Sequence, residues 1–175
     1  QGLATVPVSV NVSRVEFYNP ALCDDIRNIA KKHSISPDLL KIEITESAYA
    51  DNPVQVQEAV KKLHSYGFSV LMDDFGSGYS SLNSLKDIKV DVLKIDINFL
   101  PTSTSDERAG KILTSVVSMA NALDLKVVVE GVETRDQADF LISIGAYEAQ
   151  GYYFFRPMPV EEYEVALKKQ LEAKK

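Results

Sequence analysis

The chain has 175 residues, 45% of them hydrophobic, and carries a net charge of −6 with no basic cluster along the sequence. That is enough apolar material for one domain, 1–175, with a sizeable core. The acidic balance argues against DNA or RNA polymers as partners.

No apolar run reaches transmembrane length, and the N-terminus lacks the basic start of a signal peptide. The single cysteine, Cys23, excludes an internal disulfide and fits a reducing, cytoplasmic setting. It reads as a small buried apolar residue of a helix. Gln1 to Pro7 contain no initiator Met and run almost directly into a strand, so the chain is expected to come from the interior of a longer one.

Val8 to Ser13 alternates apolar and polar residues, as a strand does. Pro20 to His33 places Leu22, Ile26, Ile29 and Ala30 on one helical face, and Ser34 to Pro37 is a turn. Leu39 to Thr45 is the second strand. Asn52-Pro53 opens a helix through Val56, Val60 and Leu63 that Gly67 closes. Phe68 to Met72 is a buried strand ending on Asp73 and Asp74, followed by a glycine- and serine-rich loop through Leu82 and a short helix near Ser80 to Leu85. A strand at Val90 to Ile95, a helix at Asp106 to Leu123 with Ile112, Val116, Ala120 and Leu123 on its buried face, and a strand at Leu125 to Val129 come next. Thr134 with Gln137 forms a capping box for a helix ending at Gly145. Ala146 to Ala149 leads into Gln150-Gly151 and the aromatic run Tyr152 to Phe155, and Val160 to Leu171 is a last amphipathic helix.

The strand–helix alternation points to a parallel α/β sheet or barrel. Each of the six strands finishes on polar residues: Asn11 and Ser13; Glu43 and Glu46; Asp73 and Asp74; Lys94 and Asp96; Glu130 and Glu133; Gln150. In a parallel barrel these ends converge on one rim, where barrel active sites lie, whereas an open doubly wound sheet gathers them at one switch point. The spread over every strand favours the barrel. Asp73 and Asp74 point apart on a regular strand, so the turn must re-aim one of them if both are to serve one site. Oxygen donors without nearby His or Cys select Mg²⁺ or Mn²⁺ over Zn²⁺. Several carboxylates at one mouth suit two ions, the usual arrangement for phosphodiester cleavage. Lys94 could orient water or stabilise phosphate charge, and a carboxylate that holds no metal, such as Glu130, could act as general base. His33 and His64 fall on helices and read as surface or structural residues.

These residues, taken in order, resemble the EAL-domain family of cyclic di-GMP phosphodiesterases. The matching stretches are Asn11-Val12-Ser13, Glu43-Ile44-Thr45-Glu46, Asp73 through Leu82, Leu93-Lys94-Ile95-Asp96, Glu130-Gly131-Val132-Glu133-Thr134 and Gln150-Gly151-Tyr152. The resemblance implies a modified TIM-type (β/α) barrel with one antiparallel strand, and hydrolysis of cyclic di-GMP to the linear dinucleotide with Mg²⁺ or Mn²⁺. It implies Asn11, Glu43 and Asp73 as metal ligands, with Asp74 at or near the second metal. Lys94 would position the attacking water, Glu130 would be its base, and Asp96 would support the site. Glu46 would anchor the 73–82 loop as a lid coupled to dimerisation, and Gln150 would sit by the substrate. The Tyr152 to Phe155 run could stack on a guanine or simply pack the barrel.

The family's Glu-Ala-Leu tripeptide, whose Glu is a metal ligand, does not occur in these residues. The chain is also shorter than the roughly 250 residues of a typical β/α barrel. It is therefore expected to be an N-terminally truncated, incomplete or open barrel, impaired as an enzyme and prone to self-association or element swapping through its exposed edges. The longer chain would carry an upstream sensory or GGDEF-type domain. A receptor that binds cyclic di-GMP without cleaving it, and an unrelated β/α-barrel metal hydrolase, are the competing readings; the retained Glu43 and Asp73 favour the enzyme.

Overall fold

Six parallel strands in sequential order, β1-β2-β3-β4-β5-β6, organise the molecule. The structure, a computed structural model, describes residues 5–76, 85–95 and 107–173. The loop expected at 77–82, most of the short helix expected from Ser80, and Asp96 lie outside the described residues. The strands are β1 (Val8–Val12), β2 (Leu40–Thr45), β3 (Ser69–Phe75), β4 (Val92–Ile95), β5 (Lys126–Val129) and β6 (Glu148–Ala149). The helices are α1 (Leu22–Lys32), α2 (Glu46–Asp51), α3 (Pro53–Ser65), α4 (Glu107–Ala122), α5 (Arg135–Ser143) and α6 (Val160–Ala173). Among the described residues all pairings are parallel and none joins β6 back to β1, so the sheet is open there, as expected. The antiparallel strand implied by the resemblance is not among the described residues.

Alternation along the strands sorts the side chains into two layers. One face carries Ile42 and Ile44, Val70 and Met72, Leu93 and Ile95, and Val127 and Val129. It packs in one core with Val56, Val60 and Leu63 of α3, Leu113, Val117 and Ala120 of α4, and Leu141 of α5. The opposite, inner face carries Lys41 and Glu43, Leu71 and Asp73, Val92 and Lys94, and Val128 and Glu130. Leu71 and Val92 are buried but stand apart from that helix-side core.

β3 breaks this alternation once. Met72 pairs with Leu93 and Phe75 with Ile95, three steps on one strand against two on the other, which is a β-bulge. Asp74 is the extra residue, with φ of 56°, a left-handed conformation that aspartate tolerates better than most residues. Asp73 thereby stays on the inner face while Phe75, 1% exposed, returns to the helix-side core. The strand does not end at Met72, as its apolar run suggests, because Phe75 supplies one more buried anchor.

A second departure is α2, which follows β2 without a linker. Thr45 caps it, its Oγ1 accepting from the Ala48 N–H at 3.2 Å. Thr134 and Gln137 form the expected capping box at α5. His64 is half-buried and paired with Asp91 at 2.9 Å, and Cys23 is buried. No helix among the described residues is long and apolar enough to cross a membrane.

Beyond β5 the chain closes a tight loop on itself. The Gln150 N–H donates to the Val129 carbonyl at 2.8 Å, and the Val132 N–H donates to the Gln150 carbonyl at 3.1 Å. Gly151 lies so close to Val132 that a Cβ would stand 2.1 Å from its carbonyl oxygen. Backbone on both sides leaves nothing flexible to yield. Gly151→Ala is therefore expected to cost about 1–3 kcal/mol, as overpacking does, read as a lower midpoint in urea unfolding; an unchanged midpoint would show that this loop relaxes freely.

Candidate active site

The inner-face residues at the C-terminal strand ends meet at Lys94. From the third position of β4 its Nζ donates to Glu43 Oε2 at 3.0 Å, and it lies 2.9 Å from Asp73 Oδ1 and 2.9 Å from Glu130 Oε1. Three strand ends thus deliver one carboxylate each to a single ammonium, whose three N–H bonds match three acceptors. Glu43, Asp73 and Lys94 are all buried, at 5%, 9% and 5% exposure. The Glu130 side chain keeps 21% of its surface, making it the member most open to a ligand.

Burial alone would push the Lys94 ammonium down, but its hydrogen bonds to Asp73, Glu130 and Glu43 outweigh this and hold it well above the ordinary lysine value. Glu130 moves upward as well. Burial is the main cause, contact with Lys94 opposes it, and the charge of Asp73 adds to it. A carboxyl shifted this way is better matched to accept a proton near neutral pH.

The remaining expected site residues fall into three groups. Asn11 faces Glu43 across the β1–β2 ladder and is exposed. Glu46, 2% exposed, opens α2 and accepts from the Gly76 N–H at 3.1 Å, so it grips the chain just where β3 ends. Asp74 is exposed, and its own N–H donates to Asp73 Oδ1 at 3.0 Å, which fixes the Asp73 carboxylate. Gln150 is exposed and lines a cavity of about 530 Å³ with Tyr152, Phe155, Arg156 and Tyr163. The aromatic run is half-exposed, at 42–55%, so it packs no closed interior here; the Arg156 guanidinium lies 4.7 Å from the Tyr152 ring centroid. Sequence reading missed the Gly76 N–H as the partner of Glu46 and the Val132–Gly151 contact. The Thr45 cap, directly after a strand, was the signal for the former.

The donor set tests the fit of a metal. Three carboxylates and one ammonium leave two net negative charges when all are ionised, and every donor is oxygen. That suits a hard divalent cation and not zinc. In the arrangement described, these carboxylates are turned onto Lys94, and no group of three or more His, Cys, Asp or Glu stands poised for a metal among the described residues. Lys94 takes the place of a cation.

An acidic mouth at the C-terminal strand ends of a parallel β/α sheet, arranged around one buried lysine, has the layout of a β/α-barrel active site. Comparison with known proteins narrows it. The family model described as EAL domain matches residues 1–157, and the chain belongs to that family. It is 37% identical over 161 residues to the bifunctional diguanylate cyclase/cyclic di-GMP phosphodiesterase MucR of Pseudomonas aeruginosa, covering 92% of this chain and 24% of MucR. It is 34% identical over 173 residues to the cyclic di-GMP phosphodiesterase RocR of the same organism, covering 93% of this chain and 44% of RocR. Among solved structures, the PaMucR phosphodiesterase in complex with c-di-GMP matches with a TM-score of 0.83 and 36% identity, over 90% of this chain and 64% of that one. The EAL domain of Mycobacterium smegmatis DcpA matches with a TM-score of 0.88 and 34% identity, over 93% of this chain and 73% of that one. The chain therefore spans less than half the length of these curated relatives.

Lys94 is held above its ordinary value, so the stability it contributes is complete below about pH 10.4 and is lost as pH rises through its folded value. Removing it leaves Glu43, Asp73 and the partly exposed Glu130 facing one another with no cation between them, a repulsion that is greatest when all are ionised, so the variant's stability falls as pH rises through the carboxylate range. Lys94→Met in metal-free buffer should lose about 3–5 kcal/mol at pH 7, the usual cost of breaking a buried ion pair, and recover part of it near pH 4.5. Urea unfolding at several pH values reads this. A loss that does not change with pH would assign Lys94 a packing role alone.

Proposed function

We propose that this chain is the catalytic region of a metal-dependent phosphodiesterase that opens cyclic di-GMP to the linear dinucleotide pGpG. The observation that carries this reading is the meeting of Glu43, Asp73 and Glu130 on Lys94 at adjoining strand ends. Family membership supports it, as do relatives named as cyclic di-GMP phosphodiesterases. In the reaction, a water oxygen bonds to phosphorus, one P–O ester bond breaks, and the departing sugar oxygen takes up a proton. Glu130 receives the proton of the attacking water, for which its raised pKa and partial exposure fit it. Lys94 orients that water and offsets charge on the phosphate.

Asn11, Glu43 and Asp73, with Asp74 at the edge, are the residues that would hold Mg²⁺ or Mn²⁺, two ions in the full reading. Bound there, the ions would supply Lewis-acid polarisation of the phosphate and a more acidic water. The Glu-Ala-Leu donor is not in these residues, so turnover by this chain alone is expected to be weak. Glu46, through Gly76, holds the start of the loop that would act as a lid, and Gln150 borders the substrate. The exposed Val8 and Val10 on the β1 edge favour self-association, and the greater length of the relatives leaves room for a regulatory domain.

The decisive assay incubates a chain extended to include the Glu-Ala-Leu segment with cyclic di-GMP and follows linear product by chromatography. Glu130→Gln should lower turnover by about 10²–10⁴-fold while calorimetry still finds ligand bound; wild-type rates in that variant would remove Glu130 from the base role. A chelator should abolish turnover and Mg²⁺ or Mn²⁺ restore it. Ligand bound by the unmutated extended chain without any product would favour a receptor over an enzyme.

A further inference from the structure

The alternation that sends Glu43, Asp73, Lys94 and Glu130 to the inner face also sends Lys41, Ser69, Val92 and Lys126 there, at the opposite, N-terminal strand ends. Lys126 and Glu130 share one strand line and are separated by about 13 Å at 3.3 Å per residue. A cavity of about 720 Å³ opens at this floor, lined by Lys41 and Lys126 and by Lys86 and Lys89 from the segment preceding β4. None of these four ammonium groups has an ion-pair or hydrogen-bond partner among the described residues. By contrast, Lys62, Lys94 and Lys111 are each paired.

The local carboxylates do not neutralise this charge. Asp91 is engaged already, accepting from the Val70 N–H at 2.7 Å and from His64 Nε2 at 2.9 Å. Asp124 sits in the turn between α4 and β5, with φ of 56°. Four lysines thus stand against two carboxylates, one of them committed, in a chain whose net charge is −6. The mouth of the sheet is acidic and its floor basic.

We propose that this floor cavity is a second binding site, separate from the mouth, for a small polyphosphate anion, either free or as the phosphate tail of a nucleotide. Lysine ammonium groups bind phosphate oxygens as point charges, and several of them around one opening suit a chain of phosphates better than a single one. The cavity volume lies within the range of small-ligand sites.

Titration of ¹⁵N-labelled protein with sodium tripolyphosphate in metal-free buffer, and in parallel with ATP, tests this. The backbone amides of Lys41, Lys89 and Lys126 should shift while those of Glu43 and Glu130 stay in place. Equal affinity for the two probes identifies the phosphate chain as the ligand, and tighter ATP binding identifies a nucleotide. The exposed pair Lys89→Gln and Lys126→Gln should weaken binding about tenfold or more, since each removes a charge-assisted contact. Added salt should weaken it as well. Shifts confined to the mouth, no shifts at all, undiminished binding by the double variant, or tighter binding of polyglutamate than of tripolyphosphate would each overturn the proposal.

Discussion

Lys94 is the interaction on which the inner face depends. A parallel sheet that points Glu43, Asp73 and Glu130 into one small space concentrates like charge where water is scarce, and such a site costs stability unless a cation is present. The ammonium at 2.9–3.0 Å from all three supplies it from within the chain. The strand registers follow from the same requirement, because a slip of one residue in β4 would send Lys94 into the helix-side core and Leu93 into the mouth. A residue suited to orienting water is thus also the one that lets the apo site fold.

That double role bears on how a metal would enter. A divalent ion held there would compete with the Lys94 ammonium for the same carboxylate oxygens, so occupancy by one would loosen the hold of the other. The raised proton affinity of Glu130 belongs to this balance, since burial and Asp73 drive it up while Lys94 restrains it. Glu46 ties the balance to the end of β3 by accepting a hydrogen bond from the Gly76 N–H. The end of β3, which carries Asp73 into the carboxylate cluster, is therefore joined to α2, although α3 lies between the two in the chain.

Most of the architecture was legible because parallel strands covered on one face by helices leave a strong period-2 and period-3.6 signal. The strand cores, the α3 face and the α5 capping box all carry it, whereas the face expected for α4 was off by a step: Ile112 and Leu123 are exposed, and Leu113, Val117 and Ala120 are the buried residues. The Lys94 cluster was legible as strand-end chemistry, since charged residues at the ends of apolar strands have no packing reason to be there. What escaped was what breaks a period. α2 is six residues long and starts on Glu46 with no linker, too short to show a helical repeat. The bulge at Asp74 inserts a residue into an otherwise regular strand, and alternation counted through it assigns Phe75 to the wrong face. The basic floor escaped for another reason: Lys41, Lys86, Lys89 and Lys126 are scattered along the chain and are gathered only by the sheet.

The bulge also changes what a single-residue insertion or deletion would mean at this point. Almost anywhere else on a strand end, losing one residue shortens a loop. At Asp74 it would restore an unbroken ladder with Phe75 still opposite Ile95, and would remove the Asp74 N–H that holds the Asp73 carboxylate. The two adjacent aspartates are therefore not a redundant pair. One is a charged member of the site, and the other is a spacer whose backbone angle sets the frame in which the first one works.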